Sequence, residues 1–232
     1  MTMSSISHHP NNELITAYSA GNLPLSQSLC IATHMEYCDI CRQSVKQLDV
    51  LGSELMQTTN TSPISPDLKS QVMARLDGLT DTDVKDASIA DSAIANASIP
   101  DCLRHLVNGD YQSLDWKRLS PDICSVELCR DNHSSNNNGS KVELLKISPG
   151  GSAATHTHTG NEYTVILKGS FSDEQGLYSE GDFLMRSESD HHTPIATRNG
   201  ECICLAVTEG PIQLTGLLGR LLNPFIRRGY AL

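Results

Sequence analysis

The sequence predicts an α+β protein of two domains, a small helical bundle followed by an antiparallel β-sandwich or barrel. Before residue 80, apolar residues recur at helical spacing, whereas from residue 101 onward short β-rich runs alternate with turn residues. Between them the chain is rich in Ser, Thr, Asp, Ala and Pro. We therefore predict a helical domain at 1–80, a linker at 81–100 and a β domain at 101–232.

The composition disfavours several classes of function. The net charge is −10 and no basic patch is present, so direct binding of nucleic acid is not expected. No charged segment followed by an apolar run stands near the N-terminus, and no apolar stretch approaches the length of about 18 residues that a membrane span needs. We expect a cytoplasmic protein without a membrane partner. In that reducing compartment eight cysteines favour metal ligands, buried side chains or redox sensors over a disulfide framework.

Two helices are predicted in the first fifty residues. The segment NNELITAYSAGNLP has the features of a short helix that is capped by Asn12 and ended by Gly21 and Pro24. From Leu25 to about Leu51, apolar residues continue at roughly helical spacing, which predicts a second and longer helix.

The second helix carries the pattern THMEYCDICRQ, in which His34, Cys38 and Cys41 stand at positions i, i+4 and i+7. Residues at this spacing project from the same side of a helix. The pattern fits a metal site, a buried stripe of small side chains, or a redox C-x-x-C pair. The redox reading is disfavoured because no βαβ pattern surrounds the cysteines.

A closed structural zinc site needs a fourth ligand. His8 and His9, just before the first helix, are the nearest candidates, and Cys30, one turn before His34, is a weaker one. Ligation by two Cys and two His would tie the first helix to the second and stabilise a module too small for a large core.

The stretch HHPNNELITAYSAGNLPLSQSLCIATHMEYCDICRQ resembles the zinc-binding anti-sigma module of the ChrR family. That family has a His, about 25 residues, and then H-x3-C-x2-C. His9 stands 25 residues before His34, so the resemblance implies the zinc ligands His9, His34, Cys38 and Cys41. In the family, this bundle and one further helix sequester an extracytoplasmic-function (ECF) sigma factor.

The segment SPDLKSQVMARLDGL is our candidate for the further helix. It has apolar residues at helical spacing: Leu68, Val72, Met73 and Leu76. This stripe fits a partner-binding face and an ordinary core face equally well.

The pattern of the second half of the chain predicts strands separated by turns. DICSVELCR and KVELLKIS flank a polar stretch and predict a hairpin, and EYTVILKGSFSD, GDFLMRS and ECICLAVTEG supply further strands.

The most specific motif of the chain lies in GGSAATHTHTGNEYTVILKG. His156 and His158 alternate along a strand and face one side, and Glu162 keeps that parity if the strand stays regular. The spacing G-x5-H-x-H-x3-E-x6-G matches the first cupin motif and implies a jelly-roll barrel.

The second cupin motif places a His about eleven residues after a Gly. Counted from Gly181, that position is His192, and His191 is one residue too early. Ser187, Ser189 and Ala196 depart from the usual residues of that motif, which puts the turn in doubt more than the ligand. The implied set is His156, His158, Glu162 and His192. Three imidazoles and a carboxylate suit Zn, Mn, Fe or Ni.

Members of the ChrR family pair these two modules, so the resemblance covers nearly the whole chain. It implies a cytoplasmic repressor that releases its sigma factor during singlet-oxygen or related oxidative stress sensed through the cupin-like domain. The alternative is a metal-dependent cupin enzyme, such as a dioxygenase, isomerase or hydrolase, with a regulatory zinc module. An open metal position and turnover would favour the enzyme, and co-purification with a small sigma factor would favour the repressor.

Overall fold

A computed structural model describes residues 6–78, 99–107, 109–131, 139–214 and 223. Four helices precede the strands: α1 (Asn12–Ser19), α2 (Leu25–Tyr37), α3 (Asp39–Gln57) and α4 (Leu68–Asp77). A short 3-10 helix, Asp101–Leu103, follows. The predicted third helix is therefore confirmed as α4.

The strands that the structure describes occupy the second half of the chain. They are β1 (Lys117–Arg118), β2 (Ile123–Asp131), β3 (Ser140–Ile147), β4 (His156–His158), β5 (Glu162–Lys168), β6 (Ser170–Asp173), β7 (Gly176–Ser179), β8 (Phe183–Arg186), β9 (Ile195–Ala196), β10 (Cys202–Thr208) and β11 (Ile212–Leu214). They form a six-stranded sheet in the order β1-β2-β3-β10-β5-β8, a three-stranded sheet β7-β6-β9 and a two-stranded sheet β11-β4. The predicted hairpin is the antiparallel pair β2–β3.

The prediction of one helix from Leu25 to about Leu51 is wrong. The backbone leaves the helical conformation at Cys38, where φ is −113° and ψ is 104°, so α2 ends at Tyr37 and α3 begins at Asp39. Cys38 is the N-cap residue of α3, and its sulfur accepts a hydrogen bond from the Cys41 N–H at 3.4 Å. The first helix is capped by Asn11, one residue before the predicted cap, because its side chain accepts from the N–H of Leu14 at 2.8 Å.

The six-stranded sheet is covered on both faces. Along β5, Tyr163, Val165 and Leu167 belong to the same hydrophobic cluster as Ile31 of α2, whereas Ile166 belongs to a second cluster with Phe171 of the three-stranded sheet. Alternate side chains of a strand point to opposite faces, so one face packs against the helices and the other against the second sheet.

The α+β prediction with a helical N-terminal region and a cupin-like β region is confirmed, with the strands arranged in separate sheets instead of one closed barrel. The division into domains at 1–80, 81–100 and 101–232 stays a prediction, and most of its linker lies outside the described residues.

Candidate metal centres

Four predicted ligands lie together between the first helices. We call His9, His34, Cys38 and Cys41 the His/Cys site; one ligand atom from each lies within 4.8 Å of the others. Nε2 of His34 is 3.3 Å from Sγ of Cys41, and Nδ1 of His9 is 3.3 Å from Sγ of Cys38 and 3.5 Å from Sγ of Cys41.

These distances agree with a tetrahedral metal. Zinc bonds of about 2.05 Å to nitrogen and about 2.3 Å to sulfur place the two atoms about 3.6 Å apart in a tetrahedron. Three buried side chains and one exposed imidazole converge on a volume that a single cation would fill. The group therefore fits a structural zinc site or a similar cation.

Burial controls the protonation of this site. It lowers the pKa of His34 to about 4, and it raises the pKa of the Cys41 thiol to about 12, with a further contribution from the Cys38 side chain. A divalent cation would therefore meet a neutral imidazole at neutral pH and would displace the thiol proton.

The ligands of the His/Cys site lie around the break between α2 and α3. His34 lies in the last turn of α2, Cys38 at the junction and Cys41 in the first turn of α3, while His9 enters from the segment before α1. The two other candidates for the fourth ligand lie elsewhere. Nδ1 of His8 is 3.5 Å from a carboxylate oxygen of Asp182, and Cys30 is buried in the core cluster.

A second group of predicted ligands lies inside the β region. We call His156, His158, Glu162 and His192 the His/Glu site. Nε2 of His192 is 3.1 Å from Nε2 of His156 and 3.4 Å from Nε2 of His158. Oε2 of Glu162 is 3.2 Å from Nε2 of His158 and 3.6 Å from Nε2 of His192.

The backbone assembles the His/Glu site from separate elements. A bridge joins His156 and His192, in which each N–H donates to the other residue's carbonyl at 3.4 and 3.3 Å. Glu162 does not continue the strand of the histidines, as regular parity would require, because β4 ends at His158 and β5 begins in the six-stranded sheet. Its carboxylate nevertheless lies within 3.6 Å of the imidazoles of His158 and His192.

The charges of the His/Glu site suit a cation. Burial by itself raises the pKa of Glu162, but attraction to His158, His192 and His156 outweighs it and lowers the pKa to about 2. Burial lowers the pKa of His156 to about 4, and its Nδ1 lies 2.7 Å from the carbonyl of Ala154. With Nδ1–H donating there, Nε2 presents a lone pair to the centre.

An ion pair behind the His/Glu site was not predicted. Nη2 of Arg186 donates to Oδ2 of Asp173 at 2.8 Å and to the Tyr178 hydroxyl at 2.7 Å. Oδ2 of Asp173 also lies 3.6 Å from Nδ1 of His192. No local sequence motif pairs these residues, which come from three different segments.

Bonds of about 2.1 Å would place two ligand atoms about 3.0 Å apart in an octahedron and about 3.4 Å apart in a tetrahedron. Three of the distances in the His/Glu site, 3.1, 3.2 and 3.4 Å, fall within that interval, and the fourth, from Glu162 to His192, is slightly longer at 3.6 Å. The geometry therefore fits a transition metal without selecting one. The described residues thus offer two groups that could bind metal.

Comparison with known proteins agrees with both halves of the chain. The family described as the ChrR cupin-like domain matches residues 105–213. The anti-sigma-E factor ChrR of Cereibacter sphaeroides is 34% identical over 224 residues, which cover 96% of this chain and 99% of the relative.

The chain belongs to the ChrR family.

The structure supports the same assignment for this ChrR-family protein. A chain from the crystal structure of Rhodobacter sphaeroides SigE in complex with the anti-sigma ChrR matches with a TM-score of 0.74 and 32% identity, covering 88% of this chain and all of that one. The family resemblance seen in the two motifs is therefore confirmed. Among the described residues, no helix has the length and apolar character required to cross a membrane.

Proposed function

We propose that this protein is an anti-sigma factor that binds an ECF sigma factor and withholds it from core RNA polymerase. The observation that carries the proposal is the full-length similarity to a relative named as an anti-sigma-E factor, together with the fold shared with ChrR in its complex with SigE. A partner of this kind acts on RNA polymerase, so we also propose that the protein is cytoplasmic.

Helices α3 and α4 each carry exposed apolar side chains that suit a protein partner. We call these residues together the open helical face. They are exposed by 43–74%: Val50, Leu51, Leu55 and Met56 of α3, and Leu68, Val72, Met73 and Leu76 of α4. Every described residue of α4 is exposed. Such a surface is costly in a free monomer and typical of an interface core, which favours α4 as a partner-binding helix instead of a core helix.

The His/Cys site is connected to these exposed residues through α3. It joins the segment before α1 to α2 and to the first turn of α3, and α3 then extends to the open helical face. We propose His9, His34, Cys38 and Cys41 as ligands of a structural zinc ion. The ion would link the short helices to one another, and the four side chains would provide its tetrahedral ligands and the negative charge that balances it.

The direct test is co-expression with an ECF sigma factor from the same organism. We expect a stable complex, and inhibition of transcription from that factor's promoter in a reconstituted assay. The Cys41→Ala variant is expected to lose the His/Cys metal and to weaken the complex, whereas Cys124→Ala, at a half-buried cysteine of β2, is expected to leave both unchanged. Absence of any complex with the organism's ECF sigma factors would refute the proposal.

We propose that the His/Glu site receives the signal for release, with oxidative stress of the singlet-oxygen type as the expected stimulus. His156, His158, Glu162 and His192 would hold a Zn, Mn, Fe or Ni ion. The helices pack directly on the sheet that carries Glu162. A movement of Glu162 could therefore be transmitted to the helices through packed side chains. The signal can release the sigma factor only if it favours a conformation of the protein that binds the sigma factor more weakly than the resting conformation does.

Sensing is tested separately from binding. Illumination of the purified complex with a singlet-oxygen photosensitiser is expected to release the sigma factor. The Glu162→Gln variant should still bind the sigma factor but release it less readily under the same light dose. Equal release from the variant and the wild type would contradict a sensing role for this site while leaving the anti-sigma proposal intact.

A cupin metalloenzyme is the weaker alternative. All four residues of the His/Glu site are buried, with exposed fractions of 2–9%, and an enzyme would have no use for the open helical face. Turnover of a small substrate by the metal-loaded protein, together with failure to bind any ECF sigma factor, would reverse this preference.

A further inference from the structure

The turn between β7 and β8 lies against the His/Cys site although it belongs to the β region. Nδ1 of His34 donates to the carbonyl oxygen of Gly181 at 2.7 Å. This bond fixes the tautomer and leaves Nε2 free to face the cysteines. A ligand histidine commonly donates its second N–H to a carbonyl or carboxylate in this way.

The close approach at Gly181 leaves no space for a side chain. Its φ is +89°, and a Cβ built there would lie 2.8 Å from Cβ of Tyr37 in α2 and 2.9 Å from Cδ1 of Ile6. A contact below 3.0 Å with a Cβ that is fixed to a helix requires the helix or the turn to move. Glycine is therefore needed here for the contact as well as for the conformation.

The next residue of the turn holds the segment that carries His9. Oδ1 of Asp182, a residue only 3% exposed, accepts the N–H of Ser7 at 2.8 Å and the N–H of His8 at 3.0 Å. The Phe183 N–H donates to the carbonyl of His8 at 3.0 Å. His9 is thus aimed at the cysteines by three hydrogen bonds from the β region to the two residues before it.

We propose that Gly181 and Asp182 are positioning residues of the His/Cys site: the β7–β8 turn orients His34 and His9 and so belongs to the outer shell of the metal bound there. The inference rests on the proposed metal site. The cupin-like region would then contribute to the affinity with which the helical module binds its metal. Changes in such outer-shell partners weaken metal binding by about 10- to 100-fold in known sites.

The experiment uses the full chain loaded with cobalt(II) in place of zinc. Only the His/Cys site contains sulfur, so the thiolate-to-cobalt charge-transfer absorption reports that site and not the His/Glu site. The variants are Gly181→Ala, which forces the turn away from Tyr37, and Asp182→Ala, which removes the acceptor without introducing backbone strain. Their cobalt affinity, charge-transfer spectrum and thermal midpoint are measured together.

Two control variants match the chemical changes without touching the helices. Gly150→Ala replaces a glycine with φ of +70° whose added Cβ would meet only Cγ of Arg198, at 3.4 Å. Asp110→Ala removes an Oδ1 that accepts two backbone N–H groups, from Gln112 at 3.0 Å and Ser113 at 2.8 Å. Both controls are expected to bind cobalt as the wild type does.

We expect Gly181→Ala and Asp182→Ala to bind cobalt about 10- to 100-fold more weakly, with an altered charge-transfer band. Wild-type affinity and an unchanged band in Asp182→Ala would overturn the inference, as would equal weakening in the matched controls. If the wild type shows no charge-transfer band, the metal site itself fails and the inference fails with it. If the wild type shows the band and both variants bind cobalt as the wild type does, the inference is wrong but the proposed metal site stands.

Discussion

The open helical face allows a quantitative prediction about partner binding. Leu55 on α3 is 58% exposed and Leu76 on α4 is 54% exposed. Complete burial of a leucine side chain contributes about 1.5–3 kcal/mol. A bound sigma factor would cover the exposed half of each leucine, so replacing one leucine with Ala should weaken the binding free energy by about 1 kcal/mol. Each single Ala variant should therefore bind the sigma factor about fivefold more weakly, and the double variant about 30-fold more weakly if the effects add.

The assay is equilibrium binding of purified variants to a fluorescently labelled ECF sigma factor. The control is Leu177→Ala, because Leu177 on β7 is 57% exposed and lies outside the open helical face. All three side chains are already in water, so thermal midpoints should stay near that of the wild type. Double-variant affinity within twofold of the wild type would refute the interface, as would equal weakening by Leu177→Ala.

Three further predictions concern stability and reactivity. Arg186→Met should lower the free energy of unfolding by about 3 kcal/mol, because it removes the cationic partner of the buried Asp173 carboxylate. Arg130→Met, at a more exposed ion pair, should lower it by less than about 1 kcal/mol. Chemical denaturation measures both changes, and equal changes would contradict the reasoning. Burial raises the pKa of Cys202 to about 12, so alkylation of the native protein followed by mass spectrometry should modify Cys202 far more slowly than the half-buried Cys124, and comparable rates would contradict the packing. Removal of metal by a strong chelator should lower the thermal midpoint of the chain, and an unchanged midpoint with proven metal loss would exclude a structural role.

Much of the local structure could be predicted from the amino-acid pattern. Helical spacing of apolar residues predicted α1 and α4, and alternation predicted the β2–β3 hairpin. The spacings of three motifs selected eight side chains that the fold brings into two clusters. The helices and the hairpin depend on residues a few positions apart, so a short window of sequence contains the information that decides them. His9 and His192 lie far from the other ligands in sequence, and the family and cupin patterns selected them.

The break between α2 and α3 shows where a local pattern was insufficient. Positions 34, 38 and 41 fit one helical stripe, yet the helix ends at Cys38, whose side chain instead caps the next helix. Periodicity cannot detect a one-residue interruption, because the apolar spacing on either side is preserved.

The contacts between distant segments were decided by packing alone. Glu162 reaches the histidines from a different sheet, and Gly181 and Asp182 meet a segment more than 140 residues earlier in the chain. Such contacts exist only because α2 lies on one face of the six-stranded sheet, and the match of two surfaces is a property of many residues together. Motif spacing therefore identified which side chains could hold the metals, whereas the folded chain decided which backbone and carboxylate groups hold those side chains in place.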